Sequence, residues 1–314
     1  MKVAIVGGGI CGLYLGWKLA ERKEKVVLFE KEEKVGEKAC SSLFSERIFN
    51  FLPFAQNFIE NEIDYCLLHF QKKDVFLRFS EKFFAFDRFL LQNQLLKIAK
   101  DAGAEIVLGK RVDESFLEKI LKDFDRVIGA DGADSIVRKF LKLKKPNFLL
   151  GIQGFVKKRD FSNLAEVWPT QNGFFWKIPR GEKVEYGIVE VGERSKRIFQ
   201  ELKEKENLKF ETIKSAPLAQ GLVLPFDPKV TLCGEASALT KPWSYGGVIW
   251  GLTQANFLLE SFPDFISFSK KTKRFFSYKV CASKLLKKLV FSVAPKAEFL
   301  LPSLIKIDGD FLFF

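Results

Sequence analysis

The chain has 314 residues, about twice what one ordinary domain needs, so two domains are expected, interwoven or in tandem. Hydrophobic residues at 47% and charged residues at 29% are the profile of a globular protein and exclude long disorder, collagen-like repeats and a small disulfide scaffold. Lys and Arg outnumber Asp and Glu by 51 to 39, a net charge of +12, which fits either an anionic partner or simply a Lys- and Phe-rich chain with 35 Phe. No apolar run approaches the roughly 18 residues of a membrane span, and the first residues enter a strand pattern at once, so neither a spanning helix nor a signal peptide is expected. The five cysteines (Cys11, Cys40, Cys66, Cys233 and Cys281) show no C-x-x-C spacing, which fits a reducing cytoplasm without structural zinc. His69 is the one histidine, so a His-based triad and a multi-His metal site are excluded, and any catalysis is expected to use a cofactor.

The predicted elements run as follows. Residues 2–6 read as a buried strand, 13–22 as a helix with apolar residues at helical spacing, and 25–30 as a second strand. Between the first strand and the helix, Gly7, Gly9 and Gly12 stand at G-x-G-x-x-G spacing. In such a unit the first glycine makes the tight turn, the second lets a pyrophosphate approach the backbone, and the third packs helix on strand. Glu30 ends the second strand, where a carboxylate accepts ribose hydroxyls and disfavours a 2′-phosphate. A glycine-rich turn of some other α/β fold is the competing reading. Residues 63–80 alternate like a hairpin, 87–101 read as a helix, 104–112 as a strand, 115–122 as a short amphipathic helix and 126–129 as a strand. That last strand leads into Asp131-Gly132. Residues 150–159, 173–178 and 184–191 are strand-like, 230–233 is a strand leading into Gly234-Glu235, and Gly246-Gly247 opens a helix over about 248–261. The remainder, 266–314, is a basic, aromatic tail. Within it, 283–291 places lysines against Leu, Val and Phe, the pattern of a helix lying on an anionic bilayer or packed on a core.

This order of motifs resembles the FAD-dependent family that includes the aromatic-ring hydroxylases and the geranylgeranyl reductases. The resemblance covers about residues 1–262 and rests on the glycine fingerprint through Glu30, on Asp131-Gly132 with Ser135 and Arg138, and on Gly234-Glu235, where Glu replaces the usual Asp. It narrows to the geranylgeranyl reductases at Lys38-Ala39-Cys40 with Arg47, at Phe174-Phe175-Trp176-Lys177-Ile178-Pro179, and at Gly234 to Leu252, where Tyr245 stands at a usual glycine.

The resemblance implies an α/β fold: a Rossmann-type FAD-binding domain with an inserted β-rich (α+β) substrate domain. The implied boundaries are 1–62, 85–149 and 222–262 for the FAD domain, 63–84 and 150–221 for the substrate domain, and 263–314 for a helical tail. FAD contacts are implied for Gly7, Gly9, Gly12, Glu30, Lys31, Arg47, Arg88, Val112, Asp131, Gly132, Gly234, Glu235, Gly246 and Gly247. Cys40 is the implied catalytic residue, and Phe174, Trp176, Pro179 and Tyr245 are implied substrate contacts; no metal is expected. The implied reaction saturates C=C bonds of a prenylated lipid or prenyl diphosphate, with electrons from reduced ferredoxin or a nicotinamide. A cytoplasmic protein, or one peripheral to the inner face of an anionic membrane, is implied, and nucleic acid is not an expected partner. Two rivals stand beside this reading. One is an FAD monooxygenase or halogenase of the same fold, for which only part of the Trp-x-Trp-x-Ile-Pro motif is present, at Trp176 to Pro179. The other is a non-catalytic flavin- or lipid-binding protein.

Overall fold

The computed structural model describes residues 1–293 and 301–312, the side chains of 289–293 excepted. In chain order the elements begin β1 (Lys2–Val6), α1 (Ile10–Glu21), β2 (Lys25–Phe29), β3 (Leu43–Ser45), β4 (Ile59–His69), β5 (Asp74–Phe86) and α2 (Arg88–Asp101). Next come β6 (Glu105–Val107), α3 (Glu114–Asp123), β7 (Arg126–Gly129), α4 (Ile136–Phe140), β8 (Asn147–Val156), β9 (Leu164–Pro169), β10 (Phe174–Pro179) and β11 (Val184–Glu190). The chain continues through α5 (Gly192–Lys205), β12 (Thr212–Gln220), β13 (Val230–Leu232), α6 (Val248–Ser261), α7 (Phe265–Val293) and β14 (Leu304–Ile307).

The chain divides into two compact units. The first comprises Met1–Glu37, Phe89–Asn147 and Ala219–Cys281. Its sheet is parallel, in the order β13-β7-β1-β2-β6. Strands buried on both faces need continuous apolar runs, and Val3, Ala4 and Ile5 of β1 are fully buried. Helix α1 packs its Leu13, Leu15 and Leu19 into the same core. Helix α7 enters this unit through Phe265, Phe268 and Phe276, all buried; the Phe276 ring lies 5.1 Å from that of Trp250 on α6. Core packing therefore accounts for these three phenylalanines, whereas Phe275 and Tyr278 are exposed.

The second unit comprises Lys38–Arg88, Phe148–Leu218 and Ala282–Phe314. Its strands belong to a nine-stranded sheet in the order β12-β8-β11-β10-β9-β4-β5-β14, with β3 also paired to β5. One core cluster gathers Ile152, Phe175, Val184, Tyr186 and Ile188 with Phe199 of α5. Another gathers Ile63, Phe83, Ala85, Ala165 and Ile178.

The structure corrects several sequence readings. The strand expected over 104–112 ends at Val107, because Gly109 adopts φ +67° and turns the chain, leaving Val112 buried in the loop before α3. The tail expected to be helical also contains β14, which adds in parallel to β5. In the amphipathic stretch Leu285 is exposed and Lys287 half-buried, so the lysine and leucine faces are not cleanly divided. The side chains of Leu289, Val290 and Phe291, and all of Phe313 and Phe314, lie outside the described residues. No helix among the described residues is long and apolar enough to cross a membrane.

Candidate functional site

In the first unit the glycine loop connects β1 to α1. Gly7 has φ +106°, and a side chain there would meet the Ala130 carbonyl oxygen at 2.5 Å. A methyl on Gly12 would collide with the Gly7 carbonyl oxygen. Gly9 is different. It is extended (φ −69°, ψ 177°), it begins α1 with no side-chain cap, and nothing lies within 4 Å of where a Cβ would stand. The first N–H groups of a helix lack intrahelical acceptors and carry its partial positive charge. The loop is thus an open backbone cradle of the kind an anionic phosphate occupies.

The neighbouring segments complete the crevice. The Glu30 carboxylate accepts from the Gly8 N–H at 2.5 Å and the Glu32 N–H at 3.0 Å, while Lys31 is exposed and paired to Glu32 at 3.4 Å. The Glu30 backbone holds the Val112 loop in place, donating to the Val107 carbonyl and accepting from the Lys110 N–H. Asp131 Oδ2 accepts from the Ile136 N–H at 2.6 Å, and burial pushes this carboxyl above the ordinary range. Its buried Oδ1 takes no hydrogen bond from the described residues, and a bound ligand's donor would satisfy it. Arg138 is buried; it donates to the carbonyls of Ala133 and Ala236, joining the Asp131-Gly132 segment to the Gly234-Glu235 segment. Gly234 (φ +65°) donates its N–H to Gln254 of α6 at 2.7 Å. Gly246 and Gly247 end a turn closed by hydrogen bonds between Lys241 and both Tyr245 and Gly246, and Gly247 begins α6 without a side-chain cap. Tyr245 is buried at φ +57°, a backbone state that glycine reaches without strain.

These segments all leave the carboxyl ends of parallel strands or open a helix, which is where α/β sheets bind nucleotides. Sequence reading missed Gln92 on α2. It is buried, and its amide donates to the Gly8 carbonyl at 2.7 Å, supporting the loop from beneath.

The second unit holds the remaining residues. The Cys40 carbonyl accepts from Gln153 Nε2 at 3.2 Å and from Ser42 Oγ at 3.4 Å. The next carbonyl, that of Ser41, accepts from Arg180 at 2.5 Å. Arg180 is buried and also donates to Glu60 at 2.6 Å, to Glu185 at 2.8 Å and to the Phe86 carbonyl at 2.5 Å. Burial pushes the Glu185 carboxyl up, and the Arg180 charge opposes this. The Trp176 indole donates to Glu185 at 2.9 Å and covers Gly187, where no side chain would fit. Phe174 meets Trp176 edge to face at 5.9 Å, and Pro179 ends β10 against the core. The Cys40 loop is therefore fastened to β8 and to the residue that follows the Trp176-to-Pro179 segment. Sequence reading missed Arg180, Glu185 and Gln153, since their partners are distant in the chain.

Two further side chains are held by protein partners. Arg47 contacts Glu81 at 2.6 Å, Asp308 at 2.8 Å and Asp310 at 3.2 Å. His69 lies between Asp74 and Glu166 and stacks on Trp168 at 4.6 Å. Arg88 heads α2. Among the described residues no cluster of His, Cys, Asp and Glu could hold a metal ion.

Comparison with known proteins fits this geometry. A family model described as an NAD(P)-binding Rossmann-like domain matches residues 5–55. A geranylgeranyl bacteriochlorophyll reductase-like protein from Thermoplasma acidophilum superposes with a TM-score of 0.79 at 18% identity, covering 94% of this chain and 89% of that one. The flavin-dependent brominase Bmp2 superposes at 0.75 with 14% identity, covering 95% and 89%. The chain has the fold of these proteins. The flavin-dependent halogenase BrvH from Brevundimonas sp. BAL3 shares it at a TM-score of 0.72 and 13% identity, over 96% of this chain and 82% of that one. An uncharacterized protein of Methanosarcina barkeri is 23% identical over 287 residues, covering 82% of this chain and 73% of its own length. One fold hosts many chemistries, so the activity has to be argued from the residues.

Proposed function

We propose that the protein is an FAD-dependent reductase that saturates C=C bonds of isoprenoid chains, geranylgeranyl lipids foremost. The observation that carries the cofactor is the open space at Gly9, set at an uncapped helix N-terminus beside Glu30. In this reading the loop N–H groups hold the pyrophosphate, Glu30 accepts the ribose hydroxyls, and the Gly234-Glu235 segment holds the ribityl chain. The uncapped start of α6 at Gly247 offers amide donors and a positive dipole end where negative charge develops. Bound FAD would supply the hydride. The chain's own contribution is alignment, exclusion of water and a proton, because an isolated alkene is a poor hydride acceptor. Cys40 Sγ is the proposed proton donor to the second carbon, with Gln153 and Arg180 as positioning residues that fix its loop. The same reading takes Phe174 and Trp176 as apolar contacts for the prenyl chain and the basic surface as the contact for a phosphate or anionic lipid head.

The test is anaerobic. Protein with bound, chemically reduced flavin is mixed with a geranylgeranylated phospholipid, and the lipid is weighed. Mass gains in steps of two hydrogens are the expected result; an unchanged lipid with the reduced flavin intact would overturn it. The likeness to brominase and halogenase structures favours oxygen chemistry as the second reading. Halogenation of an aromatic acceptor in air with halide would establish that instead.

A further inference from the structure

Cys11 and Cys233 are far apart in the sequence and meet in the first unit. Cys11 is the second residue of α1, inside the glycine loop. Cys233 ends the segment after β13 and immediately precedes Gly234. Two glycines make the meeting possible. A side chain on Gly251 would come within 2.6 Å of Cys11 Sγ, and one on Gly234 within 2.9 Å. Cys233 Sγ lies 3.8 Å from the Gly251 carbonyl oxygen, and Gly234, which Cys11 Sγ also faces, is its chain neighbour. Both sulfurs thus rest against the same residue of α6, and both are free thiols. Their settings differ. Cys11 is partly exposed, whereas Cys233 is buried, and burial holds its thiol protonated.

We infer that Cys11 and Cys233 are an oxidisable dithiol pair, a modification site whose disulfide ties the glycine loop to the Gly234-Glu235 segment. A peroxide is the oxidant class this arrangement suits. Cys11, the partly exposed thiol, reacts first: its sulfur takes one oxygen to become a sulfenic acid, and the peroxide is reduced to water or an alcohol. The Cys233 sulfur then attacks the Cys11 sulfur, the S–O bond breaks, and the oxygen leaves as a second water carrying the Cys233 proton. Two thiols have lost two electrons and two protons, and a thiol reductant restores them. The bond would join the two segments assigned to the cofactor without adding a contact from elsewhere in the chain.

The test uses the full chain with Cys281→Ser, because Cys281 is exposed and would link separate molecules. The protein is treated with hydrogen peroxide, blocked with an alkylating agent and digested without reductant. The expected product is a peptide pair joining Cys11 to Cys233, two hydrogens lighter than the sum of its parts and cleaved by dithiothreitol. The free-thiol count falls by two. In Cys233→Ser the same treatment should leave a sulfenic acid on Cys11 that dimedone traps. An unchanged thiol count, or a disulfide joining either cysteine to a different partner, would overturn the inference. None of these readouts depends on flavin or on prenyl reduction, so the pair stands or falls apart from the proposed function.

Discussion

Replacing Gly9 by alanine separates binding from folding. Its φ of −69° and ψ of 177° suit alanine, and no atom stands within 4 Å of the new methyl. Folding should therefore be little changed: restriction of the unfolded chain, worth about 0.4–1 kcal/mol, is offset by the poorer fit of alanine at a helix N-cap. The methyl instead fills the space where a pyrophosphate would approach the loop. Forcing a group of that size into a close-packed contact costs about 1–3 kcal/mol, which weakens flavin binding by roughly 5- to 150-fold. Gly12→Ala is the contrasting variant. Its methyl strikes the Gly7 carbonyl, so the fold itself pays, with a lower melting temperature even without ligand. The assay is a fluorescence titration of apoprotein with FAD, paired with thermal unfolding followed by circular dichroism. Gly9→Ala binding FAD with parental affinity would refute the cradle. So would a loss of melting temperature in Gly9→Ala equal to that in Gly12→Ala.

Three other outcomes follow from the second unit. Arg180→Met takes the charge partner from the buried Glu185, which keeps only the Trp176 indole, and a donor from two carbonyls, and should destabilise the protein by about 3–5 kcal/mol in urea unfolding; adding Glu185→Gln should recover part of the loss, and full additivity would argue against the pair. Arg47→Gln takes the charge partner from the buried Asp310, which keeps the Ser45 hydroxyl, and should cost about 3 kcal/mol while exposing residues 301–312 to protease; an unchanged digestion pattern would count against the ion pairs as the fastening of that segment. Burial pushes the Lys287 amine down to about 8 from 10.5, against the pull of Glu190. The folded state then binds fewer protons than the unfolded one between these values, so this lysine makes stability rise from about pH 8 to pH 10.5. The melting temperature of Lys287→Met should lack that component, and parallel curves for the two proteins would exclude it.

The parts of the molecule legible in the sequence are those whose physics is local. The β1-α1-β2 unit announces itself because the strand, the three glycines, the helix and Glu30 lie within some thirty residues, each needed for a nearby reason. Helix α5 carries Ile198, Phe199 and Leu202 at helical spacing, but the dense charges around them dilute the apolar pattern. In β12, Pro217 interrupts the strand pattern and masks it. Nothing local betrays β14, because Leu304–Ile307 gains its place only from a parallel edge on β5.

The same division separates the two candidate sites. The cradle of the first unit is written in backbone requirements, which glycines disclose at once. The Cys40 loop is fixed by Gln153 on β8 and by Arg180 just after β10, and Arg180 needs Glu60 and Glu185 to neutralise it in the interior. A buried arginine with two carboxylates is no bargain for stability, since hydrophobic residues of similar volume often serve as well or better. What the arginine provides is direction: its planar donors reach the Ser41 and Phe86 carbonyls and two carboxylates at once, which an apolar side chain cannot do. The cluster thus gives the Cys40 loop and the Trp176-to-Pro179 strand a fixed geometry, which the proposed substrate contacts would require.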